Sequence, residues 1–249
     1  MAPVQHGRKI KNQVNEMTSV NKTDAAVPRR SMRRLREKEN RYNTLLKAAE
    51  TLFARKGYHQ TSIEEIADLA EVSTGSVYFY FKNKEELLIK LMQEIGHDLR
   101  KSMGEAFRKT EFSFESFRTI SFAFLGDFCL RYPEKIAIFF RESVGQSVEV
   151  EDQRKQVFVK LTLDIKDAII KISERQGKHF VTDLSPELIA VCIVGIYERI
   201  ACYYLLWQDR SADVMQMAQE SASFMLGGMN SLFIADALKS GKREKDAPE

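Results

Sequence analysis

The chain of 249 residues has few helix breakers, with 5 prolines and 12 glycines. It also lacks the Asn-Gly and Asp-Gly pairs that form tight hairpin turns. These absences argue against a fold rich in β-hairpins. Apolar residues recur over long stretches at steps of three or four, as on one face of an α-helix. The sequence therefore predicts an all-α protein with few strands or none.

Cysteine is also scarce, because only Cys129, Cys192 and Cys202 occur, an odd number without metal-ligand spacing. Cys192 and Cys202 fall in one predicted helix, where their Cα atoms lie about 15 Å apart, farther than a disulfide can bridge. We expect all three to be buried thiols in a reducing compartment. The sequence indicates no metal site. No Gly-rich phosphate loop follows a predicted strand, so no cofactor is expected.

Long hydrophobic runs are missing as well. The longest one, Leu188–Tyr197, is shorter than the roughly 20 residues that cross a bilayer, and Glu198 and Arg199 close it. The first residues of the chain mix charged and polar side chains and lack the apolar core of a secretory signal. We therefore expect a cytoplasmic protein with no membrane partner.

Charge is distributed unevenly along the chain. Residues 1–40 contain ten Lys or Arg against four Asp or Glu, whereas residues 41–100 contain eight against nine. Large apolar residues are almost absent before Leu35, so residues 1–36 are predicted to form a disordered basic tail. Its Arg-rich part suits contacts with DNA phosphates or the minor groove. A solvated charge run has the same composition, so both interpretations stay open.

A helical repeat of apolar residues follows this tail. It begins after Arg41 and ends at Lys56 and Gly57, where glycine is a typical helix stop. The repeat consists of Leu45, Leu46, Ala49, Leu52 and Phe53. Such spacing predicts an amphipathic helix with one buried face.

Two short helices are predicted after this stop, with Thr61 or Ser62 capping the first and Ser73 capping the second. Only Glu71 and Val72 connect them, so they must cross steeply, as in a helix-turn-helix that binds DNA. In the second helix, residues 74–81, one face is expected to pack inwards and another to enter a groove. The inward residues are Val77 and Phe81, and the groove-facing residues are Thr74, Gly75 and Tyr78.

The segments GYHQTSIEEIA at 57–67 and VSTGSVYFYFKNKEEL at 72–87 resemble the signature of the TetR family of bacterial regulators. The resemblance covers about residues 45–91 and implies a three-helix DNA-binding domain. The resemblance implies a set of DNA-binding residues, to which the cap of the second helix, Ser73, is added. The full set is Ser62, Ser73, Thr74, Gly75, Ser76, Tyr78, Tyr80 and Lys84. Of these, Tyr80 and Lys84 would bind DNA phosphates. Glu71 departs from the family, which usually has glycine in this turn, and Glu tolerates the left-handed region poorly.

The domain organisation implied is a basic tail at 1–36, a helix-turn-helix domain at 37–88, an effector-binding and dimerisation domain at 89–238, and a charged disordered tail at 239–249.

A stripe of aromatic residues in the larger domain is typical of plain core and also of a ligand pocket. The pocket candidates are Phe117, Phe124, Phe128, Phe140, Arg141 and Phe158. The dimer candidates, on two apolar helices with interior glycines, are Ile193, Gly195, Ile196, Phe224, Gly227 and Gly228.

The resemblance implies a repressor that a hydrophobic small molecule releases from a near-palindromic operator. Its expected partners are double-stranded operator DNA, a second copy of the chain, and an effector such as a fatty acid or acyl-CoA. Arg118 and Arg141 suit the acidic group of such an effector and also suit surface ion pairs, so both interpretations stay open. We expect association with the nucleoid. An architectural DNA-binding protein without an effector is an alternative. An enzyme is another, although none of the four histidines has metal or triad spacing, so no catalytic residue is expected.

Overall fold

The computed structural model describes residues 29–234, which are helical throughout most of their length. The first four helices are α1 Arg29–Lys56, α2 Ile63–Leu69, α3 Thr74–Tyr80 and α4 Lys84–Arg108. The next five are α5 Ser116–Ser121, α6 Pro133–Ala137, α7 Val148–Arg175, α8 Ser185–Ile200 and α9 Val214–Asn230. The chain divides into two compact units between Leu91 and Met92. The all-α prediction is confirmed.

Three of the later helices continue in π-helical form. These continuations are Phe122–Cys129 after α5, Ile138–Glu142 after α6 and Ala201–Leu206 after α8, and a 3₁₀ turn, Ser211–Asp213, precedes α9. π-Helical turns are rare and often lie at functional sites. Residues of the first two π-helical segments line the internal cavity described below.

The core of the first unit is the predicted one, except that Leu52 is only half-buried. Leu45, Ala49, Phe53 and Val77 have no exposed surface, and Phe81 is 1% exposed. Helix α1 is longer than predicted, because it begins at Arg29 rather than after the tail. Residues 29–36 are therefore helical and not disordered, while residues 1–28 and 239–249 lie outside the described part. Arg, Lys and Glu are good helix formers, and extending an existing helix needs no new nucleus.

The second unit is organised around α7 and α8, which run antiparallel. Lys166 Nζ lies 2.7 Å from Glu187 Oε2, and Arg154 Nη2 lies 3.7 Å from Glu198 Oε1. Helix α9 ends at Asn230, and beyond it Phe233 forms an antiparallel bridge with Phe180.

Helix α8 and its continuation correct two expectations. Cys192 is exposed, whereas Cys129 and Cys202 are buried, so only two of the three thiols fit the prediction. Ser185–Leu206 forms 22 helical residues, longer than the apolar run predicted, since the helix passes Glu198 and Arg199, and its most apolar window of 18 residues has a mean hydropathy of 1.7. By length and composition it could cross a membrane, a test that core helices of soluble proteins also pass.

Candidate DNA-binding surface and effector cavity

The two short helices of the first unit are fixed by serine caps. Ser62 Oγ accepts a hydrogen bond from the Glu65 amide at 3.2 Å, and the Glu65 carboxylate accepts one from the Ser62 amide at 3.0 Å. Ser73 Oγ accepts from the Ser76 amide at 3.2 Å. Each serine satisfies an amide that would otherwise lack a partner at a helix N-terminus. Ser62, not Thr61, is the cap of α2.

The turn between the caps has the strained conformation that the sequence predicted. Glu71 has φ of 55°, in the left-handed region. The Val72 amide donates to the Ala67 carbonyl at 3.0 Å, which closes the C-terminus of α2 in the way a glycine usually permits. The tight turn is thus kept at a conformational cost of about 1–2 kcal/mol.

Helix α3 presents small and aromatic side chains to solvent. Thr74 and Gly75 are exposed in its first turn, and Tyr78 is 55% exposed. Phe79, which is not among the predicted DNA-binding residues, is 66% exposed. Exposed residues of this size on the second helix of a helix-turn-helix can reach base edges in the major groove. The 3.6-residue spacing from Val77 and Phe81 could have indicated that Phe79 points outwards.

Tyr80 and Lys84, expected at DNA phosphates, lie in different environments. Tyr80 is partly exposed and packs edge-on against Tyr42, with ring centroids 6.2 Å apart. The Lys84 ammonium donates to three backbone carbonyls, those of Tyr58 at 2.7 Å, His59 at 3.3 Å and Thr61 at 2.8 Å. Partial burial lowers the pKa of Lys84. Lys84 therefore binds the protein's own loop in this structure.

The second unit contains a cavity of about 220 Å³ that is partly open to solvent. Its walls come from α4, α5, the first two π-helical segments, α7 and α8. The lining residues include Leu99, Met103, Phe107, Phe117, Phe124, Phe140, Phe158, Leu161, Ile165, Ile193 and Tyr197. Tyr197 presents its ring, because its hydroxyl is hydrogen-bonded to Ser121, and burial raises its pKa to about 12. Such walls suit the apolar part of a ligand.

Charged residues also border this cavity. Arg100 binds Asp164 with two hydrogen bonds, of 2.5 Å from Nε and 2.9 Å from Nη2. Hydrogen bonding to Asp164 raises the pKa of Arg100. Both side chains are partly exposed, so the pair lies where the cavity meets solvent. Glu198, near Arg154, is a third charged residue of the wall. The cavity can thus hold an apolar group whose polar end is outside.

Comparisons with known proteins identify the first unit. Residues 45–91 match the family described as bacterial regulatory proteins, tetR family. The chain therefore contains a TetR-family DNA-binding domain. A fatty acid metabolism regulator protein of Bacillus subtilis is 25% identical over 200 residues, covering 79% of this chain and 99% of that protein. The HTH-type transcriptional activator FasR of Mycolicibacterium smegmatis is 28% identical over 193 residues, covering 78% and 84%.

Solved structures of TetR-family proteins share the fold. FadR from Bacillus subtilis in complex with stearoyl-CoA has a TM-score of 0.66 and 19% identity, covering 75% of this chain and 98% of that one. AibR in complex with isovaleryl coenzyme A and operator DNA has a TM-score of 0.58 and 19% identity, covering 74% and 97%. The larger unit therefore has the helical architecture of the family.

The cavity contains most of the predicted pocket, with two corrections. Phe117, Phe124, Phe140 and Phe158 line it. Phe128 does not, because it is 1% exposed and packs on Tyr132. Arg141 binds Glu142 and also lies outside the lining. Arg118 bonds to Glu115 and Ser223 instead. Arg100, rather than Arg118 or Arg141, lines the cavity. It lies there because α4 packs against α7.

Four of the six predicted dimer residues are exposed. Phe224 is 73% exposed, and a Cβ added at Gly195, Gly227 or Gly228 would meet no atom within 4 Å. Ile196 is half-buried. Ile193 is 4% exposed and lines the cavity, so it cannot lie on an outer face. It occupies the inner side of α8, two residues before Gly195.

Proposed function

We propose that this chain is a ligand-responsive DNA-binding transcriptional regulator. As a homodimer it binds a near-palindromic operator and is a repressor that a fatty acid or acyl-CoA releases. The observation that carries this proposal is the joint presence of a TetR-family helix-turn-helix with exposed Tyr78 and an apolar cavity in the second unit. We further propose that the protein acts in the cytoplasm at the nucleoid and has no enzymatic activity.

The effector class follows from the cavity. Its lining is almost wholly apolar, and Arg100 at its border is placed for a carboxylate or a phosphate. The relatives FadR and AibR were crystallised with stearoyl-CoA and isovaleryl coenzyme A. A cavity of about 150 Å³ holds benzene, so 220 Å³ holds roughly nine carbon atoms by proportion. This volume favours a medium-length acyl chain.

The dimer face is formed by the exposed apolar residues of α8 and α9. Leu188, Val191 and Phe224 are 47%, 53% and 73% exposed, and open glycines on the same helices allow close approach of another helix. Two copies place two recognition helices about 34 Å apart, one turn of DNA, on successive major grooves. Phe224→Lys should give a monomer in sedimentation velocity, and Val159→Lys, on α7, is the control.

Operator binding and release test the proposal together. We would enrich duplexes from a random-sequence pool with the full chain, then measure affinity by fluorescence anisotropy with acetyl-, octanoyl- and stearoyl-CoA. We expect the selected duplex to bind at least about 10³-fold more tightly than a scrambled one, and octanoyl-CoA to release it. Equal affinity for both duplexes would support the architectural alternative. Specific binding that no acyl-CoA weakens would contradict the effector class alone.

A further inference from the structure

Lys84 is a half-buried cation of the first unit whose donors all have acceptors. An ammonium has three N–H donors, and the structure provides Lys84 with three carbonyl acceptors, those of Tyr58, His59 and Thr61. Its nitrogen also lies 4.5 Å from the centroid of the Tyr58 ring. A phosphate could take this donor set only after several of these bonds had broken. The phosphate-binding role that the family implies for Lys84 is therefore costly in this chain.

Two other cations lie next to the recognition helix. Lys38 and Arg41 are one turn apart on α1, ahead of the buried part that starts at Leu45. The Lys38 ammonium lies 5.4 Å from the centroid of the Phe79 ring, and the charge of Arg41 acts on Tyr80. Both cations thus border the exposed aromatic residues of α3.

These cations are available to an external anion. Arg41 is exposed and Lys38 is half-buried, and neither forms an ion pair among residues 29–234. Nearby, residues 31–41 contain five Lys or Arg against two acids, of which Glu37 is paired with Arg33. An excess of positive charge at the edge of a DNA-recognition helix favours contact with the DNA phosphate backbone, which carries the negative charge of the DNA.

We propose that Lys38 and Arg41 form the phosphate-binding site beside the recognition helix, and that Lys84 is a positioning residue. The ligand is the DNA phosphodiester backbone flanking the groove that α3 enters. Lys84 holds the 58–61 loop against the start of α4, and this loop leads directly into the Ser62 cap. This inference rests on the proposed DNA-binding function.

The salt dependence of binding tests the phosphate site. Affinities of the full chain for its selected duplex would be measured between about 50 and 200 mM salt, where log K falls by about 0.9 per phosphate contact for each unit of log salt. Lys38→Gln and Arg41→Gln should each reduce the slope by about 0.9, and the double variant by about twice as much. Arg55→Gln is the matched control, because it removes the same charge about 21 Å along α1.

Lys84→Gln tests the positioning role. We expect an unchanged salt slope and a reduced ratio of affinity for the selected duplex over a scrambled one, measured where circular dichroism shows the variant folded. A purely structural role would lower the melting temperature and leave that ratio intact. If Lys84→Gln does not fold, the Lys38 and Arg41 slopes still decide the main claim.

The outcomes separate this inference from the proposed function. A wild-type chain that binds no duplex contradicts the proposed function. A wild-type chain with a steep salt slope that Lys38→Gln and Arg41→Gln leave unchanged overturns the phosphate site alone. A slope that falls in Lys84→Gln but not in those two variants returns the phosphate contact to Lys84.

Discussion

The two units differ in the sequence separation between the residues whose hydrogen bonds position their functional groups. In the first unit, the caps join residues three apart, Ser62 with Glu65 and Ser73 with Ser76. In the second, Arg100 meets Asp164 across 64 residues and Ser121 meets Tyr197 across 76. The DNA-binding surface is therefore built from local sequence, whereas the cavity exists only once several helices have packed together.

This difference has a physical consequence for substitutions. A residue on the outside of α3, such as Tyr78, has few packed neighbours to disturb, so its loss should affect DNA and little else. A residue in the cavity wall belongs to a close-packed interior, where function and stability change together. The four predictions below test this contrast, from the largest expected effect to the smallest.

Phe124→Ala should produce the largest effect. Phe124 is 6% exposed, lines the cavity, and packs edge-on against Tyr197 with ring centroids 5.5 Å apart. Removing such a side chain costs about 3–5 kcal/mol of unfolding free energy. Urea unfolding of the dimer measures the loss, and a longer acyl-CoA that fills the enlarged cavity should restore part of it.

Phe79→Ala is the matched control in the first unit, since the same atoms are removed from a side chain that is 66% exposed. This substitution should change the unfolding free energy by no more than about 0.5 kcal/mol. Equal losses of unfolding free energy in Phe79→Ala and Phe124→Ala would contradict the difference expected between an exposed surface and a packed cavity wall.

Tyr78→Ala should weaken operator binding by about 10- to 100-fold, the effect of losing one good base contact. Tyr78 is 55% exposed, so the melting temperature and the dimer should not change. Anisotropy with the selected duplex measures the affinity, and Tyr78→Phe separates the hydroxyl from the ring. Loss of folding in Tyr78→Ala would show that the side chain supports the core instead.

The sequence predicted the first unit well because its rules act over a few residues. Ser62 and Ser73 cap their helices, Gly57 ends α1 with φ of 95°, and Glu71 adopts the left-handed turn, all as expected. The start of α1 was missed, because composition alone does not show that a packed helix can extend through an Arg-rich stretch. The three carbonyl acceptors of Lys84 could not be predicted, because they come together only in the folded loop.

The cavity was predicted only in part, for the opposite reason. Helical spacing marks Phe117 and Phe124 as inward-facing, but spacing cannot tell a wall such as Phe124 from solid core such as Phe128. Arg100 looks like an ordinary surface residue of α4, and its place at the cavity follows from its pairing with Asp164. Long-range packing of this kind leaves little trace in one sequence.

Asp164→Asn should tighten the binding of an acyl-CoA by about tenfold. The neutral amide competes less well for the Arg100 guanidinium, which becomes available to an anionic group on the effector. Isothermal titration calorimetry with octanoyl-CoA measures the change. Asp167→Asn is the control, because it removes the same charge from an exposed residue of α7 that is not in the cavity lining. Equal affinities for both variants would place the effector's anion away from Arg100.

Glu71→Gly should give the smallest change and the only gain in stability. Glu71 has φ of 55°, a conformation that costs a residue with a side chain about 1–2 kcal/mol. Glycine avoids this cost but loses about 0.5–1 kcal/mol more backbone entropy on folding. The unfolding free energy should therefore rise by about 0.5–1 kcal/mol, as measured by urea denaturation. Glu71→Ala keeps a Cβ and should show no gain; an equal gain in both would mean that the carboxylate, rather than the backbone of this local turn, is unfavourable.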